Sequence, residues 1–214
     1  MVPPSWPMDF DPSLFKKPDG DGGKALMEHM NAHHRPLMDW AIGLLPLGRE
    51  RILDIGCGGG LSLELLASKY GGSHVTGVDH SADAVEVSLA RNAGLVDDGR
   101  CRVLEASVSE MPFPEQSFDL VTAFETYFFW PEPVSDIGKA SRLVAPGGYI
   151  AIVAELRVKP DNQDAVAEYK SVYGMTLLPD GEILGAMGTE GLETEAVHHP
   201  GGDWVIYIGR SPAV

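Results

Sequence analysis

Residues 51–60, Arg-Ile-Leu-Asp-Ile-Gly-Cys-Gly-Gly-Gly, constrain the fold of this chain more than any other segment, because an apolar run gives way there to a glycine-rich turn. Ile52, Leu53 and Ile55 suit a buried strand. Gly56, Gly58, Gly59 and Gly60 remove the side chains where the backbone must bend and where a ligand can approach closely. Leu61, Leu63, Leu65 and Leu66 then supply the apolar face of a helix. Strand, glycine turn and helix in that order open an α/β unit whose turn is suited to a nucleoside-bearing cofactor.

The pattern continues from there. Alternating runs predict strands at 51–55, 75–79, 101–105, 118–124 and 148–155, with helices at about 60–69, 82–93 and 132–143, the signature of a parallel sheet with crossover helices. Ser81 reads as a natural N-cap of the 82–93 helix and Gly94 as its stop. Helical stretches near 162–173 and 180–188 come next, then strands at 193–198 and 203–209. The short link His199-Pro200-Gly201-Gly202 makes the last pair a hairpin, so at least one late strand runs antiparallel. Residues 1–22 hold Pro3, Pro4, Pro7, Pro12 and Pro18, a composition that opposes regular structure, punctuated by Trp6, Phe10 and Phe15. Two helices, 23–34 and 36–46, are expected on either side of Pro36. The division is therefore an N-terminal arm with helices over 1–46, placed to act as a lid, and an α/β domain over 47–214.

At 214 residues the chain suits one complete α/β domain. Its 31 acids against 16 bases give a net charge of −15, the wrong sign for wrapping a phosphate backbone, so no nucleic-acid partner is expected. Only Cys57 and Cys101 are present, which gives no disulfide framework and makes a reducing cytoplasm the default. No run of ~18 apolar residues predicts a membrane span, and the N-terminus shows no secretory pattern.

Each of the first four strands ends in residues fit to meet a ligand at the carboxyl edge of a parallel sheet. Asp54 and the glycine turn end the first. Asp79 ends the second, where a carboxylate can accept both hydroxyls of a ribose; the competing role is to cap the next helix together with Ser81. Glu125-Thr126-Tyr127-Phe128-Phe129-Trp130 ends the fourth. The dinucleotide fingerprint fails because Leu61 stands where its third glycine belongs. A phosphate loop fails because Gly60 is followed by leucine, and a hydrolase elbow fails for want of Gly-x-Ser-x-Gly.

The spacing that is present is acid-x-Gly-x-Gly-x-Gly over 54–60. Met111-Pro-Phe-Pro-Glu-Gln-Ser-Phe-Asp119 and Leu143-Val-Ala-Pro-Gly-Gly148 come after it in order. Together these landmarks resemble the class I S-adenosylmethionine-dependent methyltransferases over residues 50–157. The resemblance implies a three-layer Rossmann-like α/β domain, with a mainly parallel seven-stranded sheet ending in an antiparallel hairpin. It implies S-adenosyl-L-methionine as cofactor, bound by Asp54, Gly56, Cys57, Gly58, Gly60, Asp79, His80, Ser81, Ala106, Ser107, Val108, Glu125 and Thr126. Ala106, Ser107 and Val108 would border the adenine, with serine at a position where relatives often carry aspartate. The fourth strand end would lie beside the sulfonium, where Phe128, Phe129 and Trp130 form either an aromatic wall or ordinary core.

The implied reaction is methyl transfer to a small-molecule acceptor by direct displacement, in a monomer or homodimer. His34, Glu125 and Tyr127 are the candidates to assist if the acceptor must lose a proton. Met30-Asn31-x-x-His34-x-Pro36-Leu37 resembles an entry segment of some bacterial members, with Asn31 and His34 closing over the cofactor. His29 and His33, at i and i+4, could chelate a metal, but no third ligand is evident nearby. His198, His199 and Asp203 are only distant possibilities, so no metal is expected. A non-catalytic cofactor-binding module is the alternative class of function.

Overall fold

The structure, a computed structural model, describes residues 10–213, so Trp6, Pro3, Pro4 and Pro7 of the expected arm lie outside it. The described residues form one seven-stranded sheet in the order β3-β2-β1-β4-β5-β7-β6. Its strands are β1 (Arg51–Ile55), β2 (His74–Asp79), β3 (Cys101–Glu105), β4 (Phe118–Phe124), β5 (Val144–Ala154), β6 (Glu193–His198) and β7 (Val205–Arg210). The first five run parallel, whereas β7 lies antiparallel to both β5 and β6. The expected Rossmann-like sheet with its terminal hairpin is therefore the observed one.

Alternation along the strands sorts their side chains into two layers, because successive residues point to opposite faces. Leu53, Val121, Ile150 and Ile152 pack beneath α6 (Pro133–Arg142), α7 (Gln163–Tyr173) and α8 (Asp180–Thr189). Ile52, Leu120, Ala151 and Val153 pack on the opposite face, against α2 (Gly20–Leu44) and α3 (Leu61–Lys69). Burial on both faces explains why these strands read as continuous apolar runs.

The N-terminal region departs from expectation. Ser13–Lys16 is helical (α1), although a composition of this kind opposes regular structure; Asp11 accepts from Ser13 N at 2.9 Å and from its hydroxyl at 2.8 Å, and Pro12 supplies a helix-compatible φ of −57°. The two helices expected around Pro36 are one, α2, running through it. Proline removes an intrahelical hydrogen bond and usually breaks a helix. Here Leu26, Met27 and His34 before it and Leu37, Met38, Ala41 and Ile42 after it are all buried, and that shared face holds the helix together.

Two other elements differ locally. Gly94 does not stop a helix: α4 (Ala82–Arg91) ends at Asn92, whose side-chain amide donates to Ser88 O and Gly60 O, and α5 (Ala93–Asp97) comes directly after. Strand β5 starts at Val144 rather than 148, and the Pro146-Gly147-Gly148 segment bulges out of it. Pairing with β4 holds at Phe118↔Val144, shifts, and resumes at Leu120↔Tyr149. Gly147 has φ 73°, and a Cβ on Gly148 would stand 2.8 Å from Ala145 O and 2.9 Å from Asp119 O. Gly148→Ala should therefore cost about 1–3 kcal/mol through overpacking against fixed carbonyls. The check is a lower urea midpoint with an unchanged m-value; an unaltered midpoint would mean the bulge yields freely.

Candidate active site

The glycine turn leaves β1 with its backbone pinned and its surroundings close. Gly56 N and Cys57 N both donate to Val78 O, at 2.8 and 3.1 Å, so the turn is bonded to the end of β2. Gly56, Gly58 and Gly60 have φ values of 73°, 50° and 76°, a region open to glycine at little cost. Added Cβ atoms at Gly56 and Gly59 would collide with Thr126 and Asn31, and one at Gly60 with Ser88 and Asn92. At Gly58 the same atom would meet nothing within 4 Å, and Gly58 lines a cavity of about 310 Å³. A side chain there would occupy space that the turn otherwise leaves to a ligand.

This cavity brings together most of the residues singled out in the sequence. Gly56, Cys57, Gly58, Asp79, His80, Ala106, Ser107, Val108, Glu125, Thr126 and His34 all line it. Asp79 accepts from Gly58 N through one oxygen and from Ser81 N through the other, each at 2.9 Å. A carboxylate offers about four acceptor positions, so two remain for a diol. Ser81 itself caps α4, accepting from Ala84 N at 3.2 Å, and does not line the cavity. Ser107 Oγ accepts from Ser109 N at 3.3 Å, starting the one-turn helix Val108–Glu110.

Asp54, Gly60 and Tyr127 lie away from the lining. Asp54 is buried under the turn, where Ser62 Oγ donates to it at 2.5 Å and Thr122 Oγ1 at 2.6 Å. Burial pushes its carboxyl up to about 7, against the opposing effect of the two hydroxyls. It braces the turn from below. Tyr127 is packed in the core, its hydroxyl accepting from Leu178 N at 3.4 Å, and burial holds the phenol well above its ordinary range. Cys57 is buried, which pushes its thiol up.

The wall at the end of β4 is both core and lining: Phe128 and Trp130 belong to the packed core, and with Phe129 they also face the cavity. Met27, Met38 and Met175 extend this apolar surface. From the arm, Leu14, Phe15, Lys16 and Pro18 reach the same space. They are tied down by Ser81 Oγ donating to Pro18 O at 2.6 Å and Gly20 N donating to Asp83 at 2.6 Å.

At one side, acids and histidines meet. Glu125 stands at φ 54°, uncommon for a residue with a side chain, and accepts from Glu155 N. Burial, then the nearby Glu155 charge, raises its carboxyl well above the usual range. His34 Nε2 lies 3.9 Å from Glu125 and 3.9 Å from Glu155, and burial holds the imidazole below its ordinary value. His33 Nε2 is 3.2 Å from Glu155. Sequence reasoning misses Glu155; it directly succeeds β5, and its position at a strand end is the available signal. Asn31 Nδ2 and His34 Nε2 are buried without a hydrogen-bond partner among the described residues, and both side chains line the cavity.

The family of methyltransferase domains matches residues 53–152. A ubiquinone biosynthesis O-methyltransferase of Ralstonia nicotianae is 31% identical over 185 residues, covering 76% of this chain and 74% of its own length. Its counterpart in Paracidovorax citrulli is 39% identical over 116 residues, covering 53% of this chain and 47% of its own. The chain thus spans about half the length of some of the curated relatives it matches. Among solved structures, an O-methyltransferase family protein from Burkholderia thailandensis superposes with a TM-score of 0.76 at 18% identity, covering 90% of this chain and 60% of that one. Geranyl diphosphate C-methyltransferase from Streptomyces coelicolor gives 0.71 at 16% identity, covering 90% and 84%. This chain belongs to the S-adenosylmethionine-dependent methyltransferases. No helix among the described residues is long and apolar enough to cross a membrane.

The buried Asp54 generates a measurable pH dependence. A carboxyl near 7 when folded and about 3.9 when unfolded binds its proton more tightly in the native state, so its contribution to stability falls as pH rises from about 4 to about 7. Relative to Asp54→Asn, the wild type should lose stability across that window with a slope approaching about 1.4 kcal/mol per pH unit, and run parallel above it. Denaturant unfolding from pH 4 to 9 measures this; parallel curves throughout would mean Asp54 stays ionised when folded.

Proposed function

We propose that this chain transfers a methyl group from S-adenosylmethionine to a small, largely apolar acceptor by direct in-line displacement. The observation that carries the reading is a single cavity, floored by the glycine turn and walled by the ends of β2, β3 and β4 in the order a nucleoside requires. When bound, the cofactor supplies a methyl on a sulfonium, an intrinsically good leaving group. The protein's share is alignment and exclusion of water, worth effective molarities of about 10⁵ M or more.

Each wall has its task in this reading. Asp79 accepts the ribose hydroxyls with its remaining lone pairs. Ala106, Ser107 and Val108 border the adenine. The turn, together with the unpartnered Asn31 amide, holds the methionine end: the amide is a donor suited to a carboxylate. Phe128, Phe129, Trp130 and Met175 hold the acceptor's apolar body, and Glu125 and His34 meet its heteroatom. Tyr127 serves as packing that fixes the one-turn helix Tyr127–Phe129. The segment from Leu14 to Pro18 acts as a lid, since it lines the cavity through contacts that can be released. The names of the curated relatives favour an oxygen acceptor. Two unpaired cysteines favour a cytoplasmic enzyme.

Isothermal calorimetry with S-adenosylmethionine, then an assay for released S-adenosylhomocysteine across hydroxylated aromatic acceptors, tests the proposal. Turnover on at least one acceptor is expected. Binding with no turnover on any acceptor would instead assign an accessory module, and binding of NAD(P)H in place of S-adenosylmethionine would overturn the cofactor. Asp79→Ala should weaken S-adenosylmethionine binding by about 1–3 kcal/mol. An unchanged Kd would mean that Asp79 serves only Gly58 N and Ser81 N.

A further inference from the structure

We propose that His33, His34 and Glu155 bind one divalent transition-metal ion of the zinc type at the wall of the cavity. One nitrogen of each imidazole and a carboxylate oxygen of Glu155 all lie within 4.8 Å of one another. His33 Nε2 stands 3.2 Å from Glu155 Oε2, and His34 Nε2 stands 3.9 Å from the other oxygen, Oε1. Bonds of 2.0–2.2 Å to a tetrahedral zinc ion place its donors about 3.4 Å apart, between those two values. The three donors, within 4.8 Å of one another, must draw together by up to about 1.4 Å to hold a metal at that spacing.

Three features make this more than a chance meeting of polar groups. His34 is 5% exposed, yet its Nε2 has no hydrogen-bond partner among the described residues, although a buried orphan of this kind carries a desolvation cost that an ion would relieve. The donors come from distant parts of the chain, two from α2 and one from the residue after β5, so the fold assembles them. Glu125, held at φ 54° and bonded to Glu155 N, brings a second carboxylate to 3.9 Å from His34 Nε2.

The donor chemistry selects the ion. Imidazole with carboxylate suits zinc, manganese or ferrous iron rather than magnesium, which prefers oxygen and water. Three protein ligands leave a fourth position, as catalytic zinc sites do. Of the three ligands His34 lines the cavity, so a metal held here would border the space assigned to the acceptor and would supply Lewis-acid chemistry there. The pair at i and i+4 suggested by the sequence is not the one used: His29 lies against the rings of Phe10 and His33, each with centroids 6.5 Å away. His198 pairs with Asp180, His199 packs on Trp204 and Asp203 pairs with Lys159.

The test is titration of the chelator-treated 214-residue chain with Zn²⁺ by calorimetry, with bound zinc counted after gel filtration. One equivalent is expected to bind with a Kd in the micromolar range or tighter, with His29→Ala binding like the wild type. His33→Ala and Glu155→Gln should each weaken binding about 100-fold or more, first-ligand losses being at least as large as those of outer partners. Circular dichroism and S-adenosylmethionine affinity identify the folded variants. If Glu155→Gln fails to fold, the partly exposed His33 still carries the test. Absence of saturable binding in the wild type, or its persistence in either folded variant, overturns the site and leaves a proton-bridged cluster. No acceptor is needed, so this outcome is separate from that of the methyl-transfer reading.

Discussion

The tightest constraint in this molecule is steric: the turn after β1 passes its neighbours at distances that exclude a Cβ. Gly56 lies against Thr126, Gly59 against Asn31, and Gly60 against Ser88 and Asn92. Those neighbours belong to the end of β4, to α2 and to α4, so one stretch of bare backbone sets the positions of three elements around it. The same contacts fix the residues near Thr126 and Asn31 in the chain. Glu125 and His34 arrive in one cavity because the turn admits their neighbours so closely. Substituting any of these glycines would disturb the lining on several sides together, whatever its direct effect on a ligand.

Polar groups under and around the turn are handled in three ways. Asp54 is buried beneath it with two hydroxyl donors, a local arrangement that braces and does not face the cavity. Asp79 is satisfied by backbone amides of the turn and of the segment entering α4, which orients its carboxylate and leaves acceptor capacity over. Glu125, Glu155, His33 and His34 share one another, and His34 Nε2 is left without a hydrogen bond among the described residues. Asp54 is satisfied locally away from the cavity, whereas Asp79, Asn31 and His34, which keep capacity to spare, line it. Spare capacity in a buried polar group is costly to fold and is a mark of function.

Much of this fold is legible in the sequence because local rules and global packing agree. The parallel strands are buried on both faces, so Ile52, Leu53, Leu120 and Val121 advertise themselves as apolar runs. The strand ends then fall in register, and Asp79, Ser107 and Glu125 come to one edge. Where local chemistry and packing disagree, packing prevails. Pro36 signals a helix break, yet the apolar residues on both sides of it are buried along a single face. Gly94 signals a stop, but Asn92 ends α4 through bonds to Ser88 O and to Gly60 O, a partner far away in sequence. Tyr127 stands near Glu125 in the chain, and the one-turn helix directs its hydroxyl to Leu178 instead.

The site's two halves differ in legibility for a physical reason. Holding a nucleoside requires rare features, namely glycines at positive φ and an acid at a strand end, and their spacing is fixed by the strand-turn-helix geometry that carries them. Holding an apolar acceptor requires residues that any core also uses. Phe15, Met27, Met38, Phe128 and Met175 converge from α1, α2, the end of β4 and the segment between α7 and α8, with no periodicity in common. Glu155 falls between these cases: a lone acid after β5 has no pattern of its own, and only the approach of α2 across the strand ends gives it histidines to meet. The side of the cavity that the proposed reading gives to the acceptor is thus defined by tertiary contacts, and among the described residues a chemically distinctive feature of it is the acid–histidine cluster that those contacts create.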